Sequence, residues 1–381
     1  MDDVSKASTA SVHPRVWAVL SYRAGENSQI LALAEALGWG YETKRLAYRW
    51  WGFIPNLARR VSLAGIDPAY SSPLSAPWPD LIISAGLRNE PVCRWIKQAS
   101  GGRTRLVFIG RTWINPPSLD LLITTPQYRV PENPRVLQNR LTLQGLSEEK
   151  LRQAAEGWRR RITDLSPPYI AVLLGGNSGP YTFGPRAARR LATELNALSR
   201  SKTASLLITT SSRTPTRAAG VLADSLEVPH EFHHWQPDAQ DNPYLAYLGL
   251  AEEIVVTGDS IAMLSEACAT GKPVLIFDPG VGPQAMHRGE PARRSGGNDF
   301  RLTAWLYRLL MTAGPRRLSR DIRVVHDWLT RSGRAAWLGE GHAWQTEPPT
   351  DRERSVQRVR ELVFQESDQP FSSTALPSAR R

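Results

Sequence analysis

Cysteine is nearly absent from this chain, with two residues, Cys93 and Cys268, among 381. Both fall in stretches with helical apolar spacing. They read as small buried residues rather than as a disulfide or a metal-binding pair. Long hydrophobic runs are missing too: the longest are four to six residues, and a helix needs about 20 to span a bilayer. The first fifteen residues, Met1 to Arg15, are polar and lack an apolar core. No secretory signal is therefore expected, and the chain reads as cytoplasmic. The familiar chemical signatures are also lacking. There is no phosphate loop with its lysine, no complete G-x-G-x-x-G after the first strand and no G-x-S-x-G nucleophile turn. His230, His233 and His234 cluster, but no other His or Cys stands at ligand spacing from them, so no metal site is expected.

What is present fits a soluble α/β protein. Apolar residues make up 41% and charged residues 22%, as in ordinary globular chains, and the length favours two cores over one. The net charge is +11 and unevenly spread. From Met286 to Arg334 eleven arginines face only Glu290, Asp299, Asp321 and Asp327, which leaves +7 (11 minus 4). Thirteen tryptophans are many, and several adjoin arginine, as in Arg49-Trp50-Trp51 and Arg94-Trp95. Arginine with tryptophan suits an anionic membrane surface, with Tyr48–Arg60 and Phe300–Arg323 as the contact segments. A solvated basic face with buried tryptophans would give the same composition. Nucleic acid is not expected, because charge alone speaks for it.

Strand and helix alternate in two halves. In the first, strands are expected at Val16–Leu20, Leu81–Ser84, Arg105–Ile109 and Leu119–Thr124, with helices at Ser28–Leu37 and about Glu90–Gln98. Leu146–Ile162 reads as a further helix, acidic at its start and basic at its end. After a Pro167-Pro168 linker, Tyr169–Leu174 restarts the pattern. Such alternation implies parallel sheets with right-handed crossovers. The expected organisation is a first Rossmann-like domain over 14–164 and a second over 168–340. A C-terminal helix within 345–366 could pack back on the first domain, and 1–13 and 367–381 are expected to be disordered.

The richest segment is Ile254–Asp278. It reads as a strand, a turn at Gly258-Asp259-Ser260, a helix over Ile261–Thr270 stopped by Gly271, and a second strand at Val274–Phe277. Helical phase puts Ile261, Leu264 and Cys268 on the sheet side, with Asp259 and Glu266 on roughly the opposite side. Two outward carboxylates past a strand's carboxyl end mark the place where open α/β sheets bind ligands. A solvated helix face with an ordinary cap would look similar. Two further strand-end loops carry ligand-sized polar groups. Gly175-Gly176-Asn177-Ser178 would let backbone approach a phosphate or sugar closely. Thr210-Ser211-Ser212-Arg213 offers hydroxyls and a guanidinium for a diphosphate. In the first half, Ser21–Gln29 and Ser84–Asn89 would sit at the cleft, with Glu26 and Glu90 as possible general bases. An acid near a helix start is more commonly just dipole-favourable. The His230–His234 cluster is expected in a loop reaching the same cleft.

Five segments, Arg23–Leu37, Asp80–Arg88, Leu206–Pro215, Asp241–Ala251 and Val256–Val274, together resemble one family in order and spacing. It is the family of the plant "elongated mitochondria" fission factor and its bacterial relatives, usually described as candidate glycosyltransferases. The resemblance implies a GT-B-like fold, two Rossmann-like doubly wound domains facing across a cleft. The S-E-A-x-A-x-G-K-P run is similar to that of the lipid-linked GlcNAc transferase of peptidoglycan synthesis. By that similarity Glu266 would hold a nucleotide ribose, and Gly258-Asp259-Ser260 would meet the diphosphate, with Asp259 expected to shape the turn rather than to touch the anion directly. Gly175–Ser178 looks like that enzyme's second Gly-rich motif, while its first-domain Gly-Gly-His signature is absent here. The expected site therefore comprises Gly25, Gly175, Gly176, Asn177 and Ser178, then Ser211 and Arg213, then Asp259, Ser260, Met263 and Glu266, with Glu26 as base. The expected activity is transfer of sugar from a nucleotide-diphosphate sugar to a lipid or cell-envelope glycan at the cytoplasmic face of the membrane, without cofactor or metal. A non-catalytic adaptor and a nucleotide-sugar epimerase are the alternatives.

Overall fold

The short apolar runs become parallel strands. The computed structural model describes residues 13–51, 61–112, 118–237, 241–287, 297–313, 320–340, 344–345 and 350–364. The terminal segments expected to be disordered lie almost wholly outside these residues. The first half contains β1 (Val16–Leu20), α1 (Ala24–Leu37), β2 (Tyr41–Arg45), β3 (Leu81–Ala85), α2 (Asn89–Ala99), β4 (Arg105–Ile109), β5 (Leu121–Thr124) and β6 (Val136–Gln138). A helix, α3 (Glu148–Arg159), follows. The second half contains β7 (Tyr169–Leu173), α4 (Pro185–Lys202), β8 (Ser205–Thr209), α5 (Thr216–Asp224), β9 (His230–His233) and α6 (Tyr244–Leu250). It continues through β10 (Glu253–Thr257), α7 (Ile261–Ala269), β11 (Val274–Phe277), α8 (Leu302–Ala313), α9 (Arg323–Arg331) and β12 (Ala336–Trp337), and the last helix is α10 (Asp351–Phe364).

Among the described residues these strands form two six-stranded sheets, ordered β2-β1-β3-β4-β5-β6 and β12-β11-β10-β7-β8-β9. Neighbouring strands in both sheets run parallel. Helices cover both faces of each sheet, so the central strands are buried on both sides and read as continuous apolar runs. Each half is thus a doubly wound, Rossmann-like α/β unit. In the second sheet the chain leaves β7 toward β8 and returns on its other side as β10. In the first it leaves β1 toward β2 and returns as β3. These are the topological switch points, where open α/β sheets bind ligands beyond the strand ends.

Several edge strands escape a sequence reading. Tyr41–Arg45 is a run of mostly polar residues that pairs residue by residue with β1 from Val16↔Tyr41 to Leu20↔Arg45. Edge strands need no apolar run, because one side of the ladder is open to solvent. His230–His233 is likewise an edge strand paired with β8, not a loop reaching the cleft. A second difference concerns α3. Although it precedes the Pro-Pro linker, Leu151, Ala154, Ala155 and Trp158 pack into the core of the second unit. Gly249 makes that possible, since a Cβ there would lie 2.6 Å from the Leu151 carbonyl oxygen. The closing helix α10 returns to the first unit, where Val359 joins the β1–β3 core and the Asp351 carboxylate accepts the N–H groups of Arg140 and Leu141 at 3.0 and 2.9 Å. No helix among the described residues is long and apolar enough to cross a membrane.

Candidate functional site

At the second switch point the loops after β7, β8 and β10 are tied together by one buried carboxylate. Asp259 is fully buried. It accepts the Thr257 hydroxyl at 2.8 Å, the Gly176 N–H at 3.2 Å and the Arg213 guanidinium at 2.8 Å. Thr257 Oγ1 in turn accepts the Gly175 N–H at 2.8 Å. This corrects the expectation of an outward Asp259, which is buried and bound by the protein as a strut, while its expected part in shaping the turn agrees with these bonds. The two glycines are corrected as well. A Cβ on Gly175 would fall 2.6 Å from both Asp259 oxygens, and one on Gly176 (φ +119°) would collide with the Arg213 carbonyl. The close approach that demands glycine here is between loop and loop, not between backbone and ligand. Asn177 donates its N–H to Arg213 O at 3.0 Å and accepts from Phe183 N at 3.0 Å. Ser211 donates to the Gly175 carbonyl. These residues therefore build the loop walls.

What the network leaves reachable is Arg213, whose side chain is 38% exposed. Beside it the α7 helix begins. Ser260 stands at its N-cap without a side-chain capping bond, so the first-turn N–H groups keep their positive end turned to the loop space. Three residues apart on α7, the half-buried Met263 and Glu266 share a face. Glu266 accepts the Tyr244 hydroxyl. Burial raises its carboxyl above the usual range, and the Tyr244 bond opposes that rise. Beneath the turn, His326 Nε2 donates to the Gly258 carbonyl at 2.7 Å. Burial lowers its pKa to about 4, which keeps the ring neutral near pH 7.

Arginines that sequence reasoning assigned to a surface also converge on this loop. Arg301 donates to Gly179 O at 2.7 Å and Tyr181 O at 3.0 Å, and Arg308 to Pro180 O at 2.7 Å. Arg320 donates to the Ser178 hydroxyl. Burial and the neighbouring Arg308 lower the pKa of Arg301. The signal was the arginine-rich count itself, but composition does not reveal which arginines fold inward. Tyr244, the first residue of α6, escapes a sequence reading for another reason: nothing in its own motif ties it to Glu266, 22 positions away.

At the first switch point Glu26 lies beside Gly86, whose Cβ (φ +84°) would collide with the Glu26 carboxylate. Glu26 accepts the Ser21 hydroxyl, stands 3.6 Å from the Arg23 guanidinium and remains 24% exposed. Asn27 braces the turn by accepting Ser21 N at 2.7 Å and donating to Ser21 O at 3.0 Å. Arg88 lies over the rings of Tyr22 and Tyr48, at 4.7 and 5.9 Å from their centroids. Glu90 is not available as a base: it is buried and accepts the Thr112 hydroxyl at 2.8 Å. A Cβ on Gly25 would meet nothing within 4 Å, so no close approach requires glycine there.

The carboxyl ends of the first sheet meet the second unit directly. Arg129, past β5, donates to Asp321 at 2.7 Å, and Asp321 N donates to Gln127 O at 2.9 Å. Thr142, past β6, donates to Ser265 of α7 at 2.8 Å. Burial raises the Asp321 carboxyl, but hydrogen bonds from Arg323 and the charge of Arg129 bring it below its ordinary value. Among the described residues no group of three or more His, Cys, Asp or Glu side chains is placed to hold a metal.

The profile of the mitochondrial fission ELM1 family matches residues 24–292. The chain belongs to that family. The match spans both switch points, from the first residue of α1 to beyond β11. Mitochondrial fission protein ELM1 of Arabidopsis thaliana is 30% identical over 167 residues, covering 44% of this chain and 36% of the plant protein. The aligned region is thus about a third of that relative's length. An uncharacterized Rickettsia prowazekii protein, RP120, is 24% identical over 302 residues, covering 69% of this chain and 83% of that one. Among solved structures, a Neisseria meningitidis UDP-GlcNAc 2-epimerase bound to UDP-GlcNAc superposes with a TM-score of 0.46 at 11% identity, over 91% of this chain and 100% of that one. Acinetobacter baumannii MurG gives 0.40 at 13% identity, over 91% and 99%. Scores of this size describe a broad likeness of architecture and carry no functional weight. The two-sheet architecture of this family member follows from its own strand order.

Proposed function

We propose that this protein is a glycosyltransferase that takes sugar from a nucleotide-diphosphate sugar bound on the second unit to a lipid or cell-envelope glycan hydroxyl presented from the first. The observation that carries the reading is Arg213: a half-exposed guanidinium held by the buried Asp259 beside the start of α7. A preorganised cation at a helix N-terminus suits a diphosphate. Glu266, further along α7, suits the ribose hydroxyls, and its hydrogen bond to Tyr244 fixes its position. In the reaction, the Glu26 carboxylate accepts the proton of the acceptor hydroxyl as the oxygen bonds to the anomeric carbon. The bond from that carbon to the diphosphate oxygen breaks, and its electron pair leaves with the nucleoside diphosphate. Arg213 and the α7 dipole offset the charge that develops there. On this reading the protein works in the cytoplasm.

The test is product analysis with a panel of nucleotide sugars, with and without lipid-phosphate or glycan acceptors. The expected result is nucleoside diphosphate release that depends on an acceptor and disappears in Glu26→Gln while nucleotide binding persists. An epimerised sugar formed without acceptor would make the protein an epimerase instead. Nucleotide binding with no turnover under any condition would favour an adaptor.

A further inference from the structure

Helix α8 has two faces with opposite characters. Its inner face carries Arg301 at its lead, Ala304, Tyr307 and Arg308. Arg301 and Arg308 clamp the 179–181 carbonyls, and the Tyr307 ring lies against Gly179. Its outer face carries Leu302, Trp305, Leu306 and Leu309, each about half exposed, with Phe300 at 81% just ahead. The spacing i, i+3, i+4, i+7 puts these four side chains in one stripe. Isolated exposed apolar residues need no explanation, but a contiguous stripe with a tryptophan does.

We propose that α8 docks this protein on an anionic lipid bilayer, with the stripe entering the headgroup–acyl boundary and the exposed arginine at the start of α4 meeting lipid phosphates. The cations are in place. The 297–299 segment leading to α8 sits on the start of α4, where the Asp299 carboxylate accepts the N–H groups of Arg186 and Ala187 at 3.2 and 3.0 Å. That brings the exposed Arg186 of α4, which donates to Asn298 O at 3.1 Å, to the same end of the helix as Arg301, with Arg189 exposed one turn further along α4. Trp305 in an apolar row on one face, with the exposed Arg186 of α4 at the start of the helix, is the pattern of a helix lying in the membrane interface. A second copy of the chain fits less well, because a twofold contact through this stripe would bring two sets of arginines together. The inference does not depend on nucleotide binding, and its test uses no nucleotide.

Cys93 and Cys268 are buried, so a Leu306→Cys variant of the full chain offers one reactive thiol for an environment-sensitive fluorophore. The probe should shift to the blue, and the protein should sediment, with vesicles containing phosphatidylglycerol but not with phosphatidylcholine alone. Added salt should weaken both effects. A Trp305→Ser, Leu309→Ser double variant should bind the anionic vesicles at least ~tenfold more weakly with an unchanged melting temperature. Equal binding to both vesicle types, or undiminished binding by the double variant, would overturn the proposal. So would a lipid-free dimer that the double variant abolishes, which would assign the stripe to a second copy.

Discussion

The two switch points of this molecule each set a carboxylate against a glycine, yet the two carboxylates have different fates. In the second unit Asp259 abuts Gly175, is fully buried, and holds Gly176, Thr257 and Arg213. In the first unit Glu26 abuts Gly86 but keeps a quarter of its side chain exposed (24%), with the Ser21 hydroxyl and a 3.6 Å arginine as its side-chain partners among the described residues. A fully buried carboxylate held by three protein donors organises a loop and is closed off from a substrate. A partly exposed one can accept a proton. On the proposed reading, the difference separates the unit that positions a ligand from the unit that supplies a base.

The contrast can be broken experimentally, and the largest effect is expected at Gly176. Gly176→Ala drives a Cβ into the rigid Arg213 backbone at φ +119°, and the loss in denaturant unfolding should exceed about 3 kcal/mol. Next comes the strut. Asp259→Ala strands a buried N–H and a buried hydroxyl, for a loss of roughly 2–4 kcal/mol, whereas Glu26→Ala should cost less than about 1 kcal/mol. Equal losses at the two carboxylates would erase the distinction.

Acid should act on the second unit through His326. Its folded pKa of about 4 lies below the ordinary 6.5, so the unfolded chain takes up the proton first. The His326 contribution is therefore intact above 6.5 and is lost as pH falls toward 4. The loss reaches about 2 kcal/mol at pH ~5. A His326→Gln variant, able to donate to Gly258 O, should lack this part of the slope in urea titrations across that range. An identical slope in both proteins would exclude His326 as its source.

A smaller effect is expected at Glu266. Glu266→Ala should weaken nucleotide binding ~tenfold by calorimetry, the loss of one strong hydrogen-bonding partner. Undiminished affinity would move the ribose elsewhere. The least effect belongs to Gly25→Ala, where nothing lies within 4 Å. It should be neutral or stabilising by up to about 1 kcal/mol, and a marked loss of stability would mean that this glycine is required after all.

The central strands and the β10-α7-β11 segment were legible because buried parallel strands and a sheet-facing helix leave unmistakable periodicities. Ile261, Leu264 and Cys268 are buried as their phase requires. The edge strands were not legible, since Tyr41–Arg45 owes its conformation to the β1 ladder beside it rather than to its own composition. The strand-end loops at the second switch point stood out in the sequence, but several of their residues do a different task from the one their types suggest. Glycine in a strand-end loop suggests room for a ligand, and only the fold reveals that Asp259 and Arg213 already occupy that room. The inward arginines Arg301, Arg308 and Arg320 were counted as surface charge for the same reason: their carbonyl and hydroxyl partners lie more than a hundred residues away.

The central claim is that the Arg213–Asp259 corner is built to receive a nucleoside diphosphate. Its most direct test is a melting screen of the purified chain against nucleoside diphosphates and their sugars. A matching ligand at a hundredfold over its Kd should stabilise the protein by about 2.7 kcal/mol, and Arg213→Gln should lose most of that gain. If no nucleoside diphosphate or nucleotide sugar raises the melting temperature of the wild-type protein, the account of this corner is wrong.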